Sequence, residues 1–198
     1  MSATFDAVVD EQVLTRARAG GRDGQEGLYR LFSKAVYTLA RRMTQCPDAA
    51  ADVMQNTFLR AFRSLAQYRG EAPFGHWLRS ICATEALMHL RAGRRFLELF
   101  EPTELSDVDA PGVEDLCQLD LEKALSLLPQ MPRAVLWLYH VEGYSHAEIA
   151  ALCGKTVSFS KSQLSRAHAR LRTLLDDQTT ADGRAQPSAT VVPIREMP

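Results

Sequence analysis

The chain has 198 residues, of which 46% are hydrophobic and 24% charged, and its formal net charge is −1. These values are typical of a globular protein with one ordinary domain or two small ones. A large multidomain enzyme and a disordered chain are therefore excluded.

No apolar run approaches the roughly 18 residues of a membrane span, and the N-terminus lacks the basic start and apolar stretch of a signal peptide. We therefore expect a cytoplasmic protein without membrane insertion. The four cysteines are scattered along the chain without metal-ligand spacing. Reduced thiols, no metal and no cofactor are expected.

Charge is distributed unevenly along the chain. Residues 60–95 carry seven basic residues against two acids, whereas residues 96–122 carry nine acids and no base. Residues 155–173 carry five basic residues and no acid. Two basic modules flanking an acidic segment indicate nucleic-acid binding despite the near-neutral total.

In the first half, apolar residues recur at helical spacing. Helices are predicted over residues 10–19, 28–43 and 48–67. A loop containing Gly and Pro follows at residues 68–73, and a further helix runs from residue 74 toward residue 90.

The second half begins with a segment typical of a linker, residues 96–113, which contains two prolines and alternating acids. Helical stripes resume on both sides of Pro129, and no alternation favours a strand. The sequence thus predicts an all-α fold with two helical domains, residues 1–95 and 114–176, joined by the acidic linker. Residues 177–198 are predicted to be a disordered tail.

Residues 143–154 carry the sharpest local signal. Ser145 and Glu148 match a capping box, and Gly154 lies where a turn needs a permissive backbone. A basic amphipathic helix follows, so the pair predicts a helix-turn-helix whose second helix enters the major groove. An ordinary solvated helix in a bundle is the alternative, which the capped first helix disfavours. The side chains expected to face DNA are Ser158, Phe159, Lys161, Ser162, Gln163, Ser165, Arg166 and Arg170.

Two sets of residues resemble a known family. The second half, from Leu128 through the run KSQLSRA at residues 161–167, looks like the domain that reads the minus-thirty-five promoter element. The run DVMQNTFLRAF at residues 52–62, followed by YRGEAPF at residues 68–74, looks like the domain that opens the minus-ten element. Over roughly residues 10–176 the chain resembles the extracytoplasmic-function (ECF) sigma factors of bacterial RNA polymerase.

The resemblance implies roles for the first domain. Its loop would receive an extruded base stacked on Tyr68, while Trp77 serves either the core or DNA. The implied contacts to the minus-ten region are Tyr68, Arg69, Gly70, Trp77, Thr84, Arg91, Arg94 and Arg95.

The same resemblance implies that core RNA polymerase is a partner. The helix near residue 52 would bind the clamp helices, and the second domain would bind the flap. The implied clamp contacts are Asp52, Gln55, Asn56, Arg60 and Arg63. The acidic linker would thread the polymerase channels as a nucleic-acid mimic, or serve only as a soluble tether.

The chain departs from the family pattern ahead of Asp52. The usual acidic cluster is reduced to Ala49-Ala50-Ala51-Asp52, and Asn56 replaces a common Glu. Weak intrinsic polymerase affinity is therefore expected. A phosphate on Thr57, or less favourably on Thr44, would restore negative charge, which makes a Ser/Thr kinase one candidate regulator and an anti-sigma factor another.

Two rival functions compete with this interpretation. A two-domain helix-turn-helix transcriptional regulator that acts without the polymerase core does not explain residues 52–78. A small helical enzyme would need a nucleophile, base and orienting group, and none can be assembled from the scattered His and Cys residues. We therefore expect a non-enzymatic transcription factor that binds promoter DNA.

Overall fold

The computed structural model describes residues 5–100 and 121–182, and the side chains of residues 5–93 and 123–175. These residues form α-helices and one 3₁₀ turn, without a strand, so the all-α prediction is confirmed. The elements in chain order are α1 (Glu11–Arg18), α2 (Arg22–Thr44), α3 (Pro47–Arg63), the 3₁₀ turn (Leu65–Gln67), α4 (Phe74–Phe100), α5 (Leu121–Ser126), α6 (Gln130–His140), α7 (His146–Cys153) and α8 (Val157–Asp182).

The first domain is a bundle of α1 to α4 in which α2 is central. The Asp10 carboxylate accepts a 2.7 Å hydrogen bond from the Gln12 N–H and caps α1. Proline at the first position starts α3, where its missing N–H costs nothing. The predicted stripe of α2 is buried as expected, with Leu28, Phe32 and Val36 fully enclosed.

The second domain consists of α5 to α8. Pro129 precedes α6, and Pro132 lies in the first turn of that helix, where a proline is tolerated. Leu138 and Ile149 are fully buried between the helices. This packing fixes α7 and α8 as the two helices of the predicted helix-turn-helix.

The two domains pack against each other. Helices α6 and α7 contact α2 and α4, and the buried apolar residues of both domains belong to one cluster. Burial of apolar surface between domains stabilises this closed arrangement.

Three predicted boundaries differ from the structure. The third predicted helix ends at Arg63, because the chain tightens into a 3₁₀ turn before Gln67. Helix α4 continues to Phe100, past the predicted linker start at residue 96, and α8 continues to Asp182, past the predicted start of the tail at residue 177. Residues 101–120, which include the rest of the predicted linker, lie outside the described residues. The predicted tail from residue 183 onward also lies outside them.

Candidate functional site

Helix α7 begins with the capping box that the sequence predicts. The Ser145 hydroxyl accepts a hydrogen bond from the Glu148 N–H, and a Glu148 carboxylate oxygen accepts one of 2.8 Å from the Ser145 N–H. The Ser145 hydroxyl also donates a 2.7 Å hydrogen bond to the Glu148 carboxylate. This bond, together with the one from the Ser145 N–H, holds the pKa of Glu148 below its usual range. Gly154 ends the helix with φ +56°, a left-handed conformation that suits glycine. The turn between α7 and α8 is therefore set by local chemistry.

Helix α8 presents a polar face to solvent beyond that turn. The exposed members of the predicted DNA-binding set are Ser158, Lys161, Ser162, Ser165, Arg166 and Arg170. Three of these are cations and the other three are serines with donor hydroxyls, and groups of both kinds read base edges or hold phosphates.

Two residues of the predicted set are not on that face. Gln163 is only 8% exposed, and this burial does not fit its predicted role as a DNA contact. Phe159 is half-buried and packs against the core. The neighbouring Ser160 is fully buried. Its hydroxyl oxygen lies 3.0 Å from the ring nitrogen Nδ1 of His146, and this hydrogen bond satisfies the buried hydroxyl.

A second polar face lies on α3. The five predicted polymerase contacts are all exposed: Asp52, Gln55, Asn56, Arg60 and Arg63. The Arg60 guanidinium forms a 2.7 Å ion pair with Glu85 of α4. An open groove between α3 and α4 is lined by three of these predicted contacts, Asn56, Arg60 and Arg63, together with Leu59, Ser64, Gln67 and Glu85.

The loop between the 3₁₀ turn and α4 is built around Tyr68. Its ring lies 5.3 Å from the Trp77 ring and 5.5 Å from the Phe74 ring, measured between centroids. Its hydroxyl donates a 2.7 Å hydrogen bond to the Ala72 carbonyl across the loop. Gly70 adopts φ +78° at the tip. Trp77 is partly buried in this aromatic cluster.

The remaining minus-ten candidates lie on the loop and on α4. Arg69 and Gly70 are exposed, whereas Thr84 is half-buried and donates a hydrogen bond to the Ser80 carbonyl. Arg91 is partly buried, and its guanidinium donates a 2.9 Å hydrogen bond to the Leu152 carbonyl of the second domain. The side chains of Arg94 and Arg95 lie outside the described residues.

Both candidate phosphorylation sites are buried. Thr57 is fully buried, and its hydroxyl donates a 2.7 Å hydrogen bond to the Val53 carbonyl. Thr44 is 6% exposed and donates to the Ala40 carbonyl. A kinase could not reach either hydroxyl in this conformation, so the phosphorylation predicted for Thr57 or Thr44 requires local opening of the structure first.

Sequence reasoning missed four arginines that make the main polar contacts of the folded chain. Arg18 donates a 2.7 Å hydrogen bond to the Tyr68 carbonyl, and Arg42, Arg79 and Arg133 lie between the domains. Only Arg133 carried a signal, since it occupies a position on the otherwise apolar stripe of α6.

The thiols of two cysteines are poorly suited to catalysis. Burial raises the pKa of Cys82 to about 12 and also raises the pKa of Cys153, so neither forms a thiolate readily at neutral pH. Among the described residues, no group of three or more His, Cys, Asp or Glu side chains is arranged to hold a metal. Over the same part of the chain, no helix is long and apolar enough to cross a membrane.

Two family models match the chain. Sigma-70 region 2 matches residues 28–96, and sigma-70 region 4 matches residues 118–171. These matches fall on the α2 to α4 bundle and on the domain with the helix-turn-helix. The fold and the two exposed faces therefore define a sigma-type transcription initiation factor.

Similar proteins agree with this class. The chain is 30% identical to the RNA polymerase sigma factor NccH of Alcaligenes xylosoxydans xylosoxydans, over 86% of this chain and 96% of that protein. It is 31% identical to the probable RNA polymerase sigma factor RfaY of Xanthomonas campestris pv. campestris over 85% of this chain, and it spans 44% of that longer relative.

Among solved structures, the sigma factor RpoE of Bartonella quintana, in complex with the anti-sigma factor NepR, superposes with a TM-score of 0.52 at 26% identity. The match covers 76% of this chain and 96% of that one. The chain belongs to the sigma-70 family, as an ECF sigma factor.

Proposed function

We propose that this chain binds core RNA polymerase and directs initiation at a specific class of promoters. The observation that carries the proposal is the presence of two exposed polar faces in one chain, on α3 of the first domain and on α8 of the second. A regulator that acts alone needs only the second face. Since polymerase and promoter DNA meet in the cytoplasm of a bacterium, the proposal places the protein there.

Helix α8 is assigned to the minus-thirty-five element. Lys161, Arg166 and Arg170 are exposed at successive positions along α8, which supports base readout near the start of the helix and phosphate contacts further along. The buried Gln163 and the packing of Phe159 orient the helix rather than reading DNA.

The loop at residues 68–73 is assigned to the minus-ten element. A flipped base needs a rigid pocket with a stacking surface. The half-buried Tyr68 ring, packed against Trp77 and the buried Phe74, offers such a surface beside exposed Arg69. Partial burial of Trp77 supports a role in holding Tyr68 in place.

The polar face of α3 is assigned to the polymerase clamp helices, and the second domain to the flap. The face carries Asp52 but lacks three acids of the family pattern, two in the cluster before Asp52 and the Glu that Asn56 replaces, so its attraction to a basic partner is weak. Asn56 lies beside the Arg60–Glu85 ion pair, where an added acid would compete for Arg60.

Because the α3 face attracts polymerase only weakly, we propose that a further partner regulates the chain. An anti-sigma factor is one proposed partner, because a structurally similar sigma factor is bound to one. A kinase is the other, but full burial of Thr57 means that phosphorylation needs local opening of α3 first.

The experiment combines the purified chain with sigma-free core polymerase and a library of promoter fragments, and measures transcripts. We expect start sites that depend on the added chain. The rival regulator without polymerase binding predicts tight binding of duplex DNA by the free chain and no new transcripts. Asp52→Lys, on the α3 face, should reduce transcripts, while Asp48→Lys at the start of the same helix is the matched control.

A further inference from the structure

A short non-helical segment ahead of α1, residues 5–9, is packed onto the first domain, and we name it the N-terminal strap. Phe5 is 7% exposed, and Ala7 and Val9 pack against the core, whereas Val8 between them is 92% exposed. Burial of the inward-facing apolar side chains therefore holds the strap on the helical bundle.

Gly75 allows the strap to pass very close to α4. This glycine lies in the first turn of α4, and its backbone is not in the left-handed conformation. A Cβ atom added there would collide with the Phe5 carbonyl oxygen and would lie 2.8 Å from Cε1 of Phe32. Glycine is less favourable than alanine inside a helix, so the close passage of the strap backbone accounts for a glycine at this position.

The next residue of α4 also contacts the strap. Nε2 of His76 lies 3.0 Å from Oδ1 of Asp6, within hydrogen-bond distance. The two side chains are 40% and 75% exposed, and exposed polar pairs of this kind contribute little to stability because water screens them. Phe5 is therefore the main anchor of the strap.

The first turn of α4 connects the strap to the loop assigned to the minus-ten element. That loop ends at Pro73, whose carbonyl accepts a 3.3 Å hydrogen bond from the Trp77 N–H. The Phe74 ring lies 5.5 Å from the Tyr68 ring and 5.6 Å from the Phe32 ring, measured between centroids. A shift of this turn would therefore move the aromatic surface on which an extruded base would stack.

We propose that Phe5 and Gly75 are positioning residues for promoter opening. The strap, by passing closely over Gly75, holds the first turn of α4, and with it the Tyr68 ring, in the place where a base extruded from the minus-ten element is captured. Neither residue touches DNA, since both act through the aromatic cluster. The proposal rests on the assignment of the residue 68–73 loop to the minus-ten element.

The first experiment needs no polymerase. Gly75→Ala adds a Cβ atom that collides with the strap backbone, whereas Gly93→Ala, on the same helix, adds one in open space and is the matched control. In full-length Gly75→Ala, hydrogen exchange at the Tyr68 amide, which is bonded to the Leu65 carbonyl, should become at least about fivefold faster. The amide of Ala50, at the start of α3, should keep its exchange rate.

The second experiment changes the strap itself. Phe5→Ala removes the anchor and should also accelerate exchange at the Tyr68 amide, while Phe5→Leu keeps much of the apolar volume and should restore most of the protection. Val8→Ala, at the exposed position of the strap, is the control. Circular dichroism establishes that each variant is folded, and Phe5→Ala carries the test if Gly75→Ala does not fold.

The third experiment measures base capture with core polymerase. Templates unpaired across the minus-ten element carry each of the four bases in turn at every position, and their transcripts are compared. Gly75→Ala should reduce discrimination at the captured position about fivefold or more, because a displaced pocket fits no single base well. A variant that is merely less stable would lower transcription from all templates by the same factor. Gly93→Ala should discriminate as the wild type does.

The outcomes separate the positioning role from the sigma assignment. The proposal is overturned if folded Gly75→Ala and Phe5→Ala leave exchange at the Tyr68 amide unchanged, or if they discriminate bases as well as the wild type does. It is also overturned if the wild type discriminates no base at this element. Absence of any promoter-dependent transcription by the wild type overturns the sigma assignment, while the exchange comparison still decides whether the strap holds the loop.

Discussion

Arg18 holds Tyr68 in two ways. Its guanidinium donates a 2.7 Å hydrogen bond to the Tyr68 carbonyl oxygen and lies 5.4 Å from the centre of the Tyr68 ring. A residue of α1, fifty positions earlier in the chain, thus fixes both the backbone and the ring of the loop assigned to the minus-ten element.

Arg18→Ala should impair promoter opening. If the two Arg18 contacts stabilise the loop by one or two kcal/mol, their loss should reduce promoter opening by about 5- to 30-fold. Promoter opening is measured as permanganate reactivity of the minus-ten strand in the polymerase complex. A template that is already unpaired at the minus-ten element should restore much of the variant's transcription, because the chain no longer has to open the duplex there. Arg16→Ala, on the same helix, is the control. Equal losses on duplex and unpaired templates would show that Arg18 does not act through the loop.

Arg166→Ala should reduce discrimination at one or two base pairs by about 1 to 3 kcal/mol, because an exposed arginine on α8 is placed to read base edges. The measurement compares transcription from promoters substituted singly across the minus-thirty-five element. Arg172→Ala, exposed on the same helix, is the matched control. A uniform loss over all promoters would assign Arg166 to phosphate instead.

Stability of the second domain should depend on pH through Glu148. Its folded pKa is lowered by the Ser145 bonds, so its stabilisation is present above the unfolded pKa of about 4.3 and is lost as pH falls through the lower folded value. Glu148→Gln retains a capping side chain without the titration. As pH falls, the free energy of unfolding measured with urea should therefore decrease more in the wild type than in Glu148→Gln. If the free energies of unfolding of the two proteins depend on pH in the same way, the prediction is contradicted.

Thr57→Val should fold normally, since the two side chains have the same shape and the lost hydroxyl bond is worth about 1 kcal/mol. Thr57→Glu buries a carboxylate at a fully enclosed position and should cost about 3 kcal/mol or more. Thermal unfolding and polymerase binding are measured together. If folded Thr57→Val binds polymerase as well as the wild type, modification of this hydroxyl is unnecessary for binding; loss of binding in that folded variant would favour the kinase model.

Local patterns predicted the elements well because the chemistry that sets them is local. The apolar stripe of α2 and the Ser145–Glu148 capping box are readable from residue spacing, and both are present in the structure. The end of α3 is different, because a 3₁₀ turn at Leu65 continues the apolar stripe without continuing the α-helix.

Long-range contacts could not be predicted from spacing. Arg91 is one of several basic residues near the end of the α4 stripe, and nothing in the pattern distinguishes a phosphate contact from a bond to the Leu152 carbonyl. Gln163 is polar and lies among residues predicted to face DNA, yet it is buried. Thr57 likewise reads as a surface threonine until α3 is packed on the bundle.

The most direct measurement is size-exclusion chromatography of the purified full-length chain with sigma-free core polymerase. The account predicts that the chain co-elutes with the polymerase and that Asp52→Lys weakens this association. If the chain never co-elutes with core polymerase in any phosphorylation state, and instead binds promoter duplexes tightly by itself, the sigma assignment is contradicted.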